Sequence, residues 1–122
     1  MKTIRTLRIN EAAVFVELPA FERVRGDFLD DEGFRALQNE LLQAPDAGDL
    51  ITETGGLRKL RFADARRQKG KRGGLRVIYF WWESGRQFWL FTVYDKDTLD
   101  DLTPQQKRTL HDRLKTELRA QK

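Results

Sequence analysis

Cysteine is absent from this chain of 122 residues. Disulfides and cysteine-ligated zinc are therefore excluded, and the composition fits a reducing cytosol, so a cytoplasmic location is expected. Histidine is limited to His111. It stands between Leu110 and Asp112 in a helical stretch, which points to an ordinary helix surface rather than to a general base. No apolar run is long enough to span a bilayer, so no membrane partner is expected. The opening MKTIRTLRINEAA carries charges and no apolar core, and is not read as a secretory signal. What remains is a globular composition, 39% hydrophobic and 34% charged, without internal repeats and of a length suited to a single domain over residues 1–122.

The charge is unevenly placed. From Arg58 to Arg76 there are nine basic residues and a single acid, Asp64, a net charge of +8 in a chain whose total is +4. The rest of the chain is therefore acidic. A dense basic block within an acidic background is the footprint of a polyanionic partner. The plainer reading is a solvated loop kept soluble by its charge.

The pattern of elements predicts an α+β fold. Ala12 to Glu17 is apolar and β-branched, a short strand. Pro19 suits the first turn of a helix over Ala20 to Leu29, although Gly26 weakens it. Asp30 or Asp31 caps a second helix, with Phe34, Leu37, Leu41 and Leu42 on one face, and Ala44-Pro45 ends it. The two helices form an N-terminal hairpin. Leu57 to Phe62 alternates apolar and basic residues, as a strand with Leu57, Lys59 and Arg61 on one face and Arg58, Leu60 and Phe62 on the other. Ala63 to Gly74 is a basic, glycine-rich loop. Leu75 to Trp82 and Gln87 to Tyr94 are rich in aromatic and β-branched residues and are joined by the turn Glu83 to Arg86, a hairpin of central strands. Thr103, Pro104 and Gln106 make a capping box that opens a C-terminal helix, whose Leu110, Leu114 and Leu118 form a stripe for docking on the sheet or on a partner. The sheet is expected to be small and mostly antiparallel.

Conventional catalytic sets are missing. Asp95, Asp97, Asp100 and Asp101 cluster after the last strand, but a calcium loop needs a glycine and a glutamate that are not in register. Acids ahead of a helix N-terminus are favoured by its dipole in any case. No metal site and no cofactor are expected. The loop Gly70 to Gly74 lacks the spacing and context of a P-loop. A cationic site is left. RNA can be cut without metal when its own 2′-hydroxyl attacks the adjacent phosphate. The enzyme must then supply a proton acceptor, cations around the phosphorane and a proton donor for the leaving 5′-oxygen. Lysine and arginine supply the charge, and a lysine crowded by cations can act as a base. Lys59, Arg61 and Arg76 project from strands that converge if they pair, and Arg76 interrupts an otherwise apolar strand.

The segments GGLRKLRFA (Gly55 to Ala63), KGKRGGLRVIYF (Lys69 to Phe80) and LFTVYDKDTLDDLT (Leu90 to Thr103) together resemble the HigB branch of the RelE superfamily of toxin–antitoxin ribonucleases. So does FVELPAFERVRGDFLDDEGFRALQNEL (Phe15 to Leu41), and the likeness runs from about Ala13 to Leu118. The resemblance implies a compact RelE-like fold with helices on one face and a concave sheet that receives messenger RNA. It implies cleavage in the ribosomal A site, and neutralisation by an antitoxin whose helix-turn-helix domain binds promoter DNA. By position, Lys59, Arg61, Arg76 and Lys96 match the basic catalytic surface, and Arg58, Lys69, Lys71, Arg72 and Tyr94 are expected to touch RNA. The last-strand motif departs from the family: it commonly reads tyrosine, glycine, lysine, asparagine, and here it is Tyr94-Asp95-Lys96-Asp97. Asp97 and Thr103 stand about where the RelE branch proper has an arginine and a tyrosine, so the proton donor is unassigned, with Tyr94 as a candidate. Residues 1–11 extend beyond the usual start, as a flexible extension or an addition to the sheet edge. Two other classes compete: an RNA- or ribosome-binding translation inhibitor that does not cut, and a module whose basic loop docks an acidic protein.

Overall fold

The computed structural model describes residues 13–63, 68, 70, 74–97 and 101–121, together with the backbone of residues 3–6. Its elements are β1 (Thr3–Thr6), β2 (Val14–Glu17), α1 (Pro19–Phe28), α2 (Asp31–Gln43), β3 (Asp49–Leu50), β4 (Arg58–Phe62), β5 (Leu75–Trp82), β6 (Gln87–Asp95) and α3 (Pro104–Arg119). The strands make one six-stranded sheet in the order β1-β2-β6-β5-β4-β3. Every pairing is antiparallel except that of β2 with β6. The class is α+β, with the expected helical hairpin and C-terminal helix. No helix among the described residues is long and apolar enough to cross a membrane.

The helix ends follow their sequence signals. Pro19 opens α1, one residue before the expected start, because a proline at the first turn forfeits no hydrogen bond. Gly26 lies within the helix at a position where a side chain would meet nothing. Asp30 caps α2 by accepting from the Gly33 amide. In α3 both arms of the capping box form: Thr103 Oγ1 accepts from the Gln106 amide and Gln106 Oε1 accepts from the Thr103 amide.

Strand alternation then sorts two cores onto the two faces of the sheet. Leu60, Phe62, Leu75, Val77, Tyr79, Phe88 and Leu90 face α1 and α2, packing with Phe21, Leu29, Phe34, Leu37 and Leu41. Val16, Ile78, Trp89 and Phe91 face the other way and meet Leu102 and Leu114, with Leu110 and Leu118 alongside. The leucine stripe of α3 therefore docks on the sheet. Helices cover both faces, whereas the family resemblance implied one. Both faces of β5 and β6 are apolar over most of their length, and burying each such side chain contributes roughly 1.5–3 kcal/mol, which one helical layer could not provide.

One strand, β3, lies outside the expectations. Residues 3–6 add to the sheet edge, one of the two readings of the N-terminal segment: they pair with β2, Thr3 opposite Glu17 and Ile4 opposite Val16. The two-residue β3 is held against β4 by the loop after α2. The Tyr79 hydroxyl donates to the Pro45 carbonyl and accepts from the Gly48 amide, at 2.7 and 3.0 Å. A Cβ on Gly48 would lie 2.9 Å from the Tyr79 ring and 3.0 Å from the Lys59 backbone, so only glycine allows this approach.

One irregularity matters for the site. The β5–β6 ladder shifts between Ile78 and Tyr79: Tyr79 pairs with Leu90 but Ile78 pairs with Thr92. Phe91 is the extra residue of a β-bulge. Phe91 and Thr92, although consecutive, both serve the α3 side, Phe91 in its core and Thr92 opposite Ile78.

Candidate functional site

Three of the residues singled out in the sequence stand in a row across three adjacent strands. Arg61 of β4 pairs with Arg76 of β5, and Arg76 pairs with Tyr94 of β6. Directly paired residues share a face of the sheet and lie about 4.5–5.5 Å apart. Lys59 lies two residues from Arg61 on β4, hence on the same face. This is the α3 face, at the end of the strands where α3 begins.

The four side chains differ in access. Arg61 is exposed. Lys59 is a quarter exposed, and its ammonium reaches Asp101 Oδ1 at 3.5 Å. Arg76 is buried, 4% exposed, and donates from Nη1 to the Leu75 carbonyl at 3.1 Å. Like charges set directly opposite one another destabilise a sheet, so the Arg61–Arg76 pairing is a local repulsion. It sets two guanidinium groups side by side on the α3 face, with Lys59 next to them.

Tyr94 ends the row. Its hydroxyl is buried and has no hydrogen-bond partner among the described residues. Burial first, and the Asp101 carboxylate second, push its pKa up, against the pull of Arg76. The phenol therefore holds its proton at neutral pH. Asp101 behaves in the opposite sense: the Leu102 amide, which it accepts at 2.8 Å, and then the cations Lys59 and Lys107 hold its carboxyl below the usual range. Asp101 brings a carboxylate to the edge of the cationic row. Its place there depends on the lead into α3, which residue spacing does not reveal.

The remaining expectations fall elsewhere. Arg58 points to the opposite face, where its Nη1 donates to the carbonyls of Gly48 and Asp46 at 2.8 and 3.3 Å. It fastens the loop after α2 and is not part of the row. Lys96 follows β6, and its amide donates to the Gly74 carbonyl, which sets it at the same end of the sheet as Arg76. Lys69, Lys71 and Arg72 lie outside the described residues. Asp95 Oδ1 accepts from the Asp97 amide, so these two acids serve a turn. No cluster of three or more metal-ligating side chains occurs among the described residues. His111 packs by the Gly55 turn.

Chemically, the row can hold an anion on Lys59 and Arg61 over the buried charge of Arg76, with a protonated phenol at one end. No family model matches this chain.

Proposed function

We propose that this chain is a toxin of the RelE/HigB class, a cytoplasmic, ribosome-dependent endoribonuclease that cuts messenger RNA in the A site and so halts translation. The observation that carries this reading is the Arg61–Arg76–Tyr94 row flanked by Lys59. It sets cations and a neutral phenol beside one another on one face of the sheet. The α+β frame, with its helical hairpin, central antiparallel strands and C-terminal helix, is compatible with the resemblance noted in the sequence.

In this reading the 2′-hydroxyl of the RNA gives its proton to a water molecule and attacks its own phosphate, forming a 2′,3′-cyclic phosphate as the bond to the 5′-oxygen breaks. Lys59 and Arg61 contact the non-bridging oxygens, and Arg76 adds charge from beneath, so that the negative charge of the phosphorane is met by groups already in place. Tyr94, protonated at neutral pH, gives its proton to the leaving 5′-oxygen. Lys96 and the loop cations Lys69, Lys71 and Arg72 track the flanking phosphates. No metal or cofactor takes part. The partners are the ribosome with its messenger and an antitoxin whose helix-turn-helix domain ties the pair to promoter DNA.

Primer extension on a defined messenger, translated in a purified system, tests the reading. New 5′ ends within codons are expected only when ribosomes and this protein are both present, and are expected to vanish with Arg76→Ala. Intact messenger with halted translation would replace cleavage with ribosome blockade. Intact messenger with normal translation would remove both.

A further inference from the structure

Beside the cationic row, between β6 and the first turns of α3, runs a groove of about 420 Å³, a size typical of small-ligand sites. Phe91, Leu102 and Leu110 form its apolar wall, Thr92 and Gln105 bring a hydroxyl and a carboxamide to it, and Tyr94 closes the end it shares with the row. The bulge makes this possible. With Phe91 and Thr92 both on the α3 side, the strand offers an aromatic ring and a hydroxyl where regular alternation would offer one side chain.

The groove asks for a particular chemistry. Its wall is apolar, the polar groups that line it are neutral, and among the described residues the cations Arg61, Arg76 and Lys59 lie at the end it shares with the row, with the Asp101 carboxylate beside Lys59. A single-stranded nucleic acid has this polarity within one nucleotide: a flat heterocycle with a hydrogen-bonding edge, joined to an anion. Unstacked bases are commonly held on aromatic side chains in this way. The Tyr94 hydroxyl adds an independent sign. A buried phenol without a partner is unfavourable, and a ligand offering an acceptor would relieve it.

We infer that this groove is a nucleobase site, taking one unstacked base of a single-stranded RNA whose adjoining phosphate lies on Arg61 and Lys59. This rests on the RNA-cleaving reading above and adds to it a contact that distinguishes bases from bare backbone. Phosphate cations hold the strand, and the groove selects which nucleotide stands beside the reacting bond.

The test is a fluorescence-anisotropy titration of the full chain with a short single-stranded RNA and with the same strand made abasic. The intact strand is expected to bind about tenfold more tightly, the scale of one base stacked on an aromatic ring. Thr109→Trp, which fills the groove from the exposed side of α3, is expected to bring the intact strand down to the abasic level with an unchanged melting temperature. If that variant does not fold, Tyr94→Phe should narrow the same difference. Equal binding of both strands, with the salt dependence still set by Arg61, would overturn the groove and leave the phosphate site standing. Loss of binding to an antitoxin peptide in Thr109→Trp, with base discrimination intact, would also overturn it. No binding of either strand at low salt would remove the RNA reading itself.

Discussion

Arg76 and Tyr94 face one another across β5 and β6 because of a single extra residue. Counted from the hairpin turn, Trp82 pairs with Gln87 and Tyr79 with Leu90. An unbroken ladder would carry this register on and set Val93 opposite Arg76, with Tyr94 on the α1–α2 side. The bulge at Phe91 exchanges them. It gives the buried guanidinium a phenol as its neighbour and completes the row that begins at Arg61.

The Arg61–Arg76 pair is expected to weaken the fold. Arg61→Gln relieves a direct cross-strand repulsion and should stabilise the protein by about 0.5 kcal/mol in urea unfolding. It should also lower RNA affinity and reduce the salt dependence of binding by about one phosphate contact. A destabilised Arg61→Gln would mean that the guanidinium is held by contacts stronger than the repulsion.

Tyr94→Phe removes a buried hydroxyl that has no partner among the described residues. Thermal unfolding should show a stability that is unchanged or raised by up to about 1 kcal/mol, while cleavage falls. A clear loss of stability would show that the hydroxyl has a structural bond.

The tyrosines also predict an alkaline limb. Burial raises the pKa of Tyr79 and of Tyr94, so the native state keeps these protons when the unfolded chain releases them. Stability is then fully present below pH about 10 and falls as pH rises beyond it. Urea midpoints between neutral pH and pH 11 should fall more gently in Tyr94→Phe than in the parent.

Asp101 places a negative charge beside Lys59. Asp101→Asn keeps an oxygen for the Leu102 amide and removes the charge, so RNA binding should tighten several-fold at low salt, with a smaller gain at high salt. The lowered carboxyl pKa means that its contribution to stability is present above the ordinary aspartate value and is lost as pH falls through and below it. An acid titration of the variant should lack that part of the loss. Weaker RNA binding in Asp101→Asn would mark the carboxylate as a participant in catalysis or binding.

Gly48→Ala tests the support beneath Lys59. A methyl group there meets the Tyr79 ring and the Lys59 backbone, and neither can yield without moving β4. A loss of about 1–3 kcal/mol is expected, with reduced cleavage in folded material. An alanine variant as stable as the parent would show that the loop can lift away freely.

Much of the fold is legible in the chain because its strongest signals are local. The capping box at Thr103 and Gln106 needs only neighbours to form, and the aromatic runs of β5 and β6 can only be central strands. β3 was hidden because it has two residues and owes its pairing to Tyr79, far along the chain. The candidate site was half legible. Alternation alone separates Lys59 and Arg61 from Arg58, and pairing of β4 with β5 brings in Arg76. Tyr94 was reached through resemblance, since alternation from the turn assigns it to the wrong face. Asp101 depends on how α3 is seated, which no short pattern encodes.

The parallel pairing of β2 with β6 has a consequence for the order of events. Val14 has no neighbour on that side until Gln87 to Leu90 exist, so the centre of the sheet joins an early strand to a late one. Such distant pairings close slowly, because most of the chain must be gathered before they bring any gain. On a translating ribosome, the polypeptide emerges with its basic strand β4 made and the strand bearing Tyr94 still to come. The row of Arg61, Arg76 and Tyr94 is therefore incomplete for most of the protein's own synthesis, and under the function proposed above the ribosome that makes it is spared until the strand bearing Tyr94 has emerged.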